Sequence, residues 1–478
     1  MSAEPSSFAN VLADRYASAE MVAIWSSGDK VRMERQLWLA VLEAQRQLGL
    51  DIPTSVIDDY RAVIDDVDLE SIRERERRTR HDVKARIDEF CAQAGHEYIH
   101  WGMTSRDLTE NVEQLQILRS LKAVRGFAVT AVIRLAELAG SYGGMVMVGR
   151  SHNVPAQATT LGKRFSNAGE ELLMGIDRLS ELISRYPLRG LKGPVGTQQD
   201  QLDLMDGDLE RTRRLEEAVA AHLGFERVLH SVGQVYPRSL DFDVVTALLQ
   251  LASGPANLAN TIRLMAGQEL VTEGFKPGQV GSSAMPHKMN SRSCERIGGM
   301  TTVLRGHVTM AGSLVGDQWN EGDVSCSVVR RVMLPDAFLA IDGLFQTLFS
   351  VMGGFGVYPA VVEDELTHYL PFLATTKFLV AALRQGAGRE EMHELIKEHA
   401  VAAALDRRER GSAATGLVSR LASDDRIPLS AEALNRLMGE PEAFVGLAES
   451  QVAQFVERAA ELARHYPDAA RYVPEDIL

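Results

Sequence analysis

Cysteine and aromatic residues are scarce in this chain of 478 residues. Its three cysteines, Cys91, Cys294 and Cys326, show no Cys-x-x-Cys pair and no metal-type spacing. This usage argues against a disulfide framework and favours free thiols in a reducing cytosol, so we expect a cytoplasmic protein. Aromatic residues make up only 6% of the sequence. The core is therefore expected to consist mainly of Leu, Val, Ile, Met and Ala, which suits helices.

Basic residues are fewer than acidic ones. Signals for targeting and for membrane insertion are also scarce. The net charge of −14 argues against nucleic acid and anionic lipid as partners. The opening residues, Met-Ser-Ala-Glu-Pro, lack a basic segment followed by an apolar run, so we expect no signal peptide. No apolar stretch approaches the ~18 residues that a membrane span needs. A small anionic substrate stays compatible with the charge, because a few clustered Arg and Lys residues reverse its sign locally.

Strand signals are scarce too, with neither a series of Asn-Gly hairpin turns nor strand–helix alternation. Apolar residues instead recur at helical spacing, and one stripe runs from 111 to 138 without a proline. Further long helices are predicted near 156–186, 240–272, 292–315 and 324–352. Helices of this length indicate an all-α fold with a central long-helix bundle, which often continues across subunit contacts. The alternative is several ordinary helices joined by tight turns.

This pattern divides the chain into three sections. We expect an N-terminal helical domain at 1–111, a central long-helix bundle domain at 112–364, and a C-terminal helical domain at 365–478. The first section mixes short helices with charged loops, and the last returns to shorter, polar-rich helices. The chain contains neither an internal repeat nor a low-complexity tract.

The segment from Gly278 to Glu295 carries the most chemical information. Glycines and prolines make it a poor helix former, so a loop between two long helices is predicted. A loop that carries two serines, a lysine and an asparagine is a plausible cover for a polar substrate. By composition alone, a surface loop without a role is the alternative.

Residues 281–290, Gly-Ser-Ser-Ala-Met-Pro-His-Lys-Met-Asn, resemble the signature loop of the fumarase/aspartase superfamily. The resemblance is specific because many positions agree in one run, and separate motifs match in order from Arg15 to Asp336. It implies an all-α, three-domain fumarase/aspartase-like fold. It also implies a homotetramer in which three subunits build each active site.

Within that superfamily, the chain resembles the adenylosuccinate lyase family. The supporting features are Arg15-Tyr16, the Arg-His-Asp motif at 80–82, the Gly-Met-Thr-Ser motif at 102–105, and His287, where argininosuccinate lyases carry Gln and fumarases Gly. The resemblance implies an anti β-elimination in purine biosynthesis that needs no cofactor. Fumarate would leave adenylosuccinate, giving AMP, and the related nucleotide SAICAR, giving AICAR.

Two alternatives stay open. The first is another lyase or cycloisomerase of the superfamily, such as argininosuccinate lyase, against which Arg15-Tyr16 and the 80–82 motif argue. The second is a binding protein that kept the fold without turnover. The simultaneous presence of Ser282, His152 and Lys288 argues against the second alternative, because a retired site usually loses such groups.

The resemblance also assigns the catalytic roles. Ser282 is the expected base, which takes a proton from the succinyl carbon beside a carboxylate. His152 is the expected acid, which protonates the departing nitrogen. Glu295 matches the glutamate that pairs with this histidine and favours its imidazolium form. Lys288, with Asn290, is expected to hold the carboxylate on which negative charge grows.

The other predicted residues bind the substrate. His81 is counted with the catalytic residues and is expected to position the substrate, at its phosphate or at its leaving group. Thr104 and Ser105 are expected both to cap a helix and to receive a succinyl carboxylate. Arg331 matches the family's phosphate-binding arginine, a residue type suited to phosphate geometry. The predicted substrate-binding residues are Arg15, Tyr16, Arg80, Asp82, Thr104, Ser105, Gln234, Ser283, Met285, Asn290, Arg296, Ser327 and Arg331.

Some positions depart from the family pattern. Gly322 stands where the family often has an arginine, so either Arg330, Arg331 or another cation replaces that phosphate contact, or the contact is absent. Ser291 stands where proline is usual, and Ser151 stands where threonine is usual. These changes affect the expected phosphate affinity and loop kinetics rather than the type of reaction.

No metal or organic cofactor is expected. His96 and His100 have a spacing that can bind zinc on a helix face. No third ligand lies nearby in the sequence, so structural or surface histidines are favoured.

Overall fold

The computed structural model describes residues 10–274, 285, 287–411 and 416–474. Helices dominate these residues, as the sequence predicts. Two small antiparallel sheets accompany them, each of two strands. The all-α fold class is therefore confirmed.

The N-terminal section consists of short helices around one longer helix. Polar residues begin several of them: Ser18, Ser26 and Asp68 each accept hydrogen bonds from the first-turn N–H groups of the helix that follows. The helices are α1 (Val11–Arg15), α2 (Ala19–Trp25), α3 (Ser27–Gln47), α4 (Thr54–Ala62), α5 (Leu69–Thr79) and α6 (Asp82–Ala94).

The central section is a bundle built on one very long helix. Its helices are α7 (Ser105–Ser141), α8 (Leu161–Arg185), α9 (Gln199–Leu204), α10 (Leu209–His222), α11 (Ser239–Leu251), α12 (Ser253–Gly267), α13 (Arg292–Ser313) and α14 (Cys326–Gly354). The long helices run alternately up and down. Asn111, near the start of α7, donates to the Gly190 carbonyl oxygen just beyond α8 at 2.9 Å. The Tyr142 ring, just after α7, lies 5.9 Å from the Phe355 ring, just after α14. The bundle therefore has a Ser105 end and an opposite end.

Two details of the predicted helices were wrong. The helix predicted from 156 begins at Leu161, because 154–160 forms a strand instead. β2 (Val154–Thr160) pairs with β1 (Val146–Ser151), and the valines and threonines of both strands suit extended backbone. The stretch predicted as helix at 240–272 contains two helices, α11 and α12, and ends in β3 (Val271–Thr272), which pairs with β4 (Gly356–Val357).

The C-terminal section contains shorter helices. They are α15 (Pro359–Leu373), α16 (Thr375–Arg384), α17 (Arg389–Arg410), α18 (Leu417–Ala422), α19 (Ala431–Met438), a 3-10 turn (Pro441–Phe444), α20 (Ala448–His465) and α21 (Pro467–Arg471). Residues between 374 and 434 share a small core of their own. In contrast, α20 packs on α7 and α8, and its Phe455 ring fills the space over Gly169.

The expected domain boundaries after residues 111 and 364 fall inside α7 and α15. The first boundary therefore crosses the longest helix of the bundle, and α20 returns to that bundle from the C-terminal section. The three-domain division itself stays a prediction.

Within the described ranges, and contrary to the expectation from the sequence, two helical stretches are long and apolar enough to span a membrane by length and composition. The first, Cys326–Gly354, is α14, and 83% of its most apolar window is buried inside the protein. The second, Pro359–Arg384, comprises α15 and α16, which are separated at Ala374. The position of α14 in the bundle core accounts for its apolar composition.

A buried ion pair fixes the Ser105 end of α7. Asp107 Oδ2 accepts from the Thr104 N–H at 2.9 Å. Its Oδ1 accepts from Arg189 Nη1 at 2.7 Å and from the N–H groups of Lys192 and Gly193 at 2.8 and 3.0 Å. The Asp107 and Arg189 side chains are both completely buried. One carboxylate therefore joins the start of α7 to the segment that follows α8.

We predict that Arg189→Ala lowers the free energy of unfolding by about 3–5 kcal/mol, because it leaves Asp107 as a buried charge without its cation. Chemical denaturation of the purified protein measures this change. Arg213→Ala is the matched control, since Arg213 forms exposed ion pairs with Glu210 and Glu217, and we expect a midpoint close to that of the wild type. Equal midpoints for the two variants would contradict the prediction.

Candidate active site

Three predicted residues meet at the Ser105 end of the bundle. Thr104 is the N-cap of α7, and Ser105 is its first residue. His81 is the N-cap of α6, where its Nδ1 accepts from the Lys84 N–H at 3.1 Å. The His81 Nε2 lies 3.4 Å from the Ser105 hydroxyl. Two helix N-termini therefore converge here, and their N–H groups favour an anion.

Asp82 and Arg80 flank His81 but differ in their surroundings. Asp82 accepts from Arg86 Nη2 at 2.6 Å and from the Val83 N–H at 2.8 Å. Burial raises the pKa of Asp82, but Arg86, the Val83 N–H and Arg331 outweigh it, so the pKa lies below its usual value. Both Asp82 oxygens already have partners. Arg80 is exposed and adopts a left-handed conformation (φ 56°) at the end of α5.

The segments around Gln234 and Gly322 pack against each other at the Ser105 end of the bundle. The Gln234 N–H donates to the Glu321 carbonyl oxygen at 2.6 Å. Gly322 has a φ of 143°, and a Cβ added there would lie 3.1 Å from the Gln234 Cβ and 3.2 Å from a Val235 methyl group. This conformation strains any side chain at 322. The glycine therefore fits the local backbone, and an arginine there would require rearrangement.

Arg330 and Arg331 are adjacent in the chain but have opposite environments. Arg330 is 3% exposed, and it donates to Asp241 Oδ2 at 2.7 Å and to Glu113 Oε2 at 2.5 Å. Arg330 is therefore unavailable to replace the missing arginine, which corrects one expectation. Arg331 is exposed, and no carboxylate of the described residues lies within 4.0 Å of it. Ser327, in the first turn of α14, is half-buried.

Two further predicted residues, Tyr16 and Arg296, lie next to the middle of α14. The Arg296 guanidinium lies 4.8 Å from the centroid of the Tyr16 ring. Gly343 faces Tyr16, and an added Cβ would lie 2.9 Å from the Tyr16 Cβ, so only glycine permits this approach. Asp342 accepts from the Ser18 N–H and hydroxyl at 2.6 and 2.8 Å and holds the segment on α14. Arg15 ends α1 and is exposed.

His152 lies at the tip of the hairpin formed by β1 and β2. Ser151 pairs with Val154, so His152 and Asn153 form a two-residue turn. Their φ angles of 51° and 60° are those of a turn that matches strand twist. The His152 side chain is exposed. Among the described residues, it makes no hydrogen bond to another predicted site residue.

Lys288, Asn290 and Glu295 lie together, and they share a cavity of about 600 Å³ beside α12. The Glu295 carboxylate lies 3.7 Å from the Arg263 guanidinium. The expected pairing of Glu295 with His152 is thus absent from the described part of a single chain. Met285 is exposed. Ser282 and Ser283 lie outside the described residues.

Cavities place these residues at the same end of the bundle as the hairpin. One cavity of about 420 Å³ is lined by Arg150 and Asn153 of the hairpin and by Leu264 of α12. Leu264 also lines the cavity that holds Lys288 and Glu295. We therefore call this end of the bundle the hairpin end.

The length of α7 separates the two groups. Its 37 residues span about 55 Å. The eleven residues from Tyr142 to His152 reach at most about 38 Å even when fully extended. Within one chain, His152 and Ser105 therefore stay about 15 Å or more apart. A single chain cannot place both against one small substrate.

The sequence reasoning did not identify two carboxylate contacts near the predicted loop. Glu273 accepts from the N–H groups of Ser293 and Cys294, each at 2.9 Å, and so holds the start of α13. Arg263 of α12 forms an exposed ion pair with Glu295. Neither residue belongs to a motif. Glu273 lies 20 residues before Ser293 in the sequence, so no local sequence pattern marks it as a partner of the first turn of α13.

The suspected zinc spacing does not correspond to a helix face. His96 and His100 both follow α6, which ends at Ala94. His96 Nε2 lies 2.8 Å from Asp59, and His100 Nδ1 accepts from Trp38 Nε1 at 3.0 Å. Burial lowers the pKa of His100 to about 4. In the described ranges, no group of three or more His, Cys, Asp or Glu side chains could hold a metal ion.

Known structures share this architecture. A 3-carboxy-cis,cis-muconate lactonizing enzyme from Pseudomonas putida superimposes with a TM-score of 0.80 at 19% identity, covering 95% of this chain and 100% of that one. A fumarate lyase from Mesorhizobium sp. BNC1 gives a TM-score of 0.78 at 22% identity, over 93% and 98% of the two chains. At these identities, the similarity establishes the fold alone.

Sequence relatives are more informative. Residues 17–306 match the Lyase family, and residues 371–455 match the family described as adenylosuccinate lyase C-terminus. Adenylosuccinate lyase from Saccharomyces cerevisiae is 35% identical over 94% of this chain and 93% of the relative. The enzyme of Schistosoma mansoni is 33% identical over 96% of each. This chain belongs to the adenylosuccinate lyase family.

Proposed function

We propose the following division of roles in the adenylosuccinate lyase activity of this chain. Ser282 takes the proton from the succinyl carbon beside a carboxylate, and the electron pair of that bond moves onto the carboxylate. The electrons then form the carbon–carbon double bond of fumarate while the carbon–nitrogen bond breaks. His152 gives its proton to the departing nitrogen. Adenylosuccinate yields AMP and fumarate, and SAICAR yields AICAR and fumarate.

The charges around the substrate support these roles. Lys288 and Asn290 line one cavity, so a cation and an amide can together hold the carboxylate on which charge grows. Thr104 and Ser105, at the N-terminus of α7, suit the other carboxylate, and His81 adjoins them. Arg331, exposed and without a carboxylate partner in the described part of the chain, suits the phosphate.

The separation of His152 from Ser105 is the observation that carries the proposal. A succinyl group is far shorter than the gap of about 15 Å or more within one chain. The residues can serve one substrate only if different copies of the chain supply them. We propose a homotetramer with shared active sites, in which the exposed hairpin of one subunit meets the Ser105 end of another.

We also propose a cytoplasmic location. All three cysteines are free thiols, and Cys294 and Cys326 are buried. Free thiols of this kind are typical of reducing compartments.

Ser282→Ala is expected to reduce kcat by about 10²–10⁴-fold, the usual contribution of a positioned base. Fumarate release from adenylosuccinate, followed by absorbance, measures the loss. Ser293→Ala is the matched control, because Glu273 contacts the backbone N–H of Ser293 rather than its hydroxyl. Activity within a few-fold of the wild type in Ser282→Ala would refute the assigned base.

Arg331→Gln is expected to raise KM about ten- to hundredfold, because a charge-assisted contact to phosphate is lost. Its unfolding midpoint should stay close to that of the wild type, since the side chain is exposed. Arg330→Gln should instead lower the midpoint, because Asp241 and Glu113 lose their buried cation. An unchanged KM in Arg331→Gln would remove this residue from the phosphate site.

Mixing two inactive variants tests the shared site. His152→Ala and His81→Ala proteins, dissociated and reassembled together, should regain up to about a quarter of wild-type activity if random assembly brings the two intact residues together from different chains. The control replaces the His152→Ala protein with the double variant His81→Ala/His152→Ala and should stay inactive, because no intact His81 is present. Failure of the first mixture to recover, with mixed oligomers present, would contradict shared sites.

A further inference from the structure

A cavity of about 410 Å³ lies beside the hairpin, outside the site described above. Val154 and Pro155 of β2 form one side of it. Tyr369 of α15 and Arg407 and Arg408 of α17 form the others. Its volume falls within the range of small-molecule sites. None of the residues predicted for the reaction lines it.

Positive charge in this cavity lacks a carboxylate counterpart. In the part of the chain that the structure describes, no carboxylate lies within 4.0 Å of Arg407 or Arg408. Arg407 instead contacts the Nδ1 of His368, a group that accepts a hydrogen bond only when the imidazole is neutral. Burial lowers the pKa of Arg407, with no anion to offset it. Two guanidinium groups without a carboxylate partner among the described residues therefore face one cavity.

Aromatic rings complete the cavity. Tyr369 and Phe372 line it beside the arginines. The Arg407 guanidinium lies 5.5 Å from the centroid of the Tyr369 ring, and the His368 ring lies 4.6 Å from it. Glu365, one turn earlier on α15, is already bound by Arg150. The cavity therefore offers cations for an anionic group and flat rings for a planar one.

We propose that this cavity is a second ligand site, which binds a purine nucleoside monophosphate. Arg407 and Arg408 would hold the phosphate, and Tyr369 and Phe372 would contact the base. A simple dicarboxylate or inorganic phosphate would leave the aromatic wall and most of the volume unused. The reaction itself supplies a ligand of the proposed class, because its products include AMP.

The location gives such a site a consequence for turnover. Val154 and Pro155 directly follow the turn that carries His152. A ligand packed against them restrains the hairpin, and any effect on the rate rests on the proposed role of His152 as the acid. Binding to the cavity does not depend on that role. An experiment can therefore reject the role of His152 as the acid without rejecting the cavity as a binding site, and the reverse.

Equilibrium dialysis of the full-length protein with labelled AMP tests the site. We expect two AMP molecules per chain, one in the active site and one in this cavity. Arg408→Gln and the double variant Arg407→Gln/Arg408→Gln should weaken the second site about ten- to hundredfold for each guanidinium removed, while the first is retained. Arg389→Gln, on the same helix but paired with Glu390, is the matched control and should keep both sites.

Several outcomes would overturn the proposal. These are one AMP per chain in the wild type, a second site that Arg408→Gln leaves unchanged, and equal occupancy of the second site by inorganic phosphate, fumarate or adenosine. Because Arg408 is exposed, that variant should fold even if loss of Arg407 disturbs the packing on Tyr369. Inhibition kinetics supply a second readout. The component of AMP inhibition that is not competitive with substrate should vanish in the double variant, and its persistence there would also contradict the site.

Discussion

The length of α7 is the constraint on which the rest of the structure depends. A helix of 37 residues has a fixed rise, so it holds Ser105 and the hairpin at opposite ends of the bundle. No loop movement within one chain removes that separation, because the connection from α7 to His152 is short. The proposal that one succinyl group contacts both His152 and Ser105 therefore goes together with the proposal of a site shared between copies of the chain. His152 is exposed because it lies in the turn at the tip of the hairpin.

Buried carboxylates on the first turns of α7 hold the Ser105 end together. Glu110 accepts from Arg238 at 2.9 Å and from Arg106 at 3.1 Å, and Arg330 joins the same cluster through Glu113. Each buried charge would be costly alone, but here each has its partner. This arrangement divides the arginines into two kinds. Buried ones such as Arg330 join helices, and exposed ones such as Arg331 stay available to an anion in a protein that is acidic overall.

The sequence pattern predicted helices best where apolar periodicity was long, and failed where strands were short. The apolar stripe from 111 to 138 lies within α7. The hairpin was missed because its turn is His152-Asn153, which lacks the glycine that marks such turns, and because β2 is largely exposed and so shows no clean alternation of apolar residues. The break between α11 and α12 at Ala252 is followed by Gly254 and Pro255, a pair that marks helix boundaries, but the apolar periodicity continues across it and the break was missed.

The sequence by itself determined the family, the all-α class and the set of chemical groups, because motif residues and helical periodicity are local properties. It identified Thr104 as a helix cap for the same reason. Only the tertiary structure decided which groups meet. It gave Arg330 a buried environment and Arg331 an exposed one, although they are neighbours in the chain, because successive residues on a helix face different directions. It also set Glu295 against Arg263 and placed His152 far from Ser105, since both relations depend on how distant helices pack.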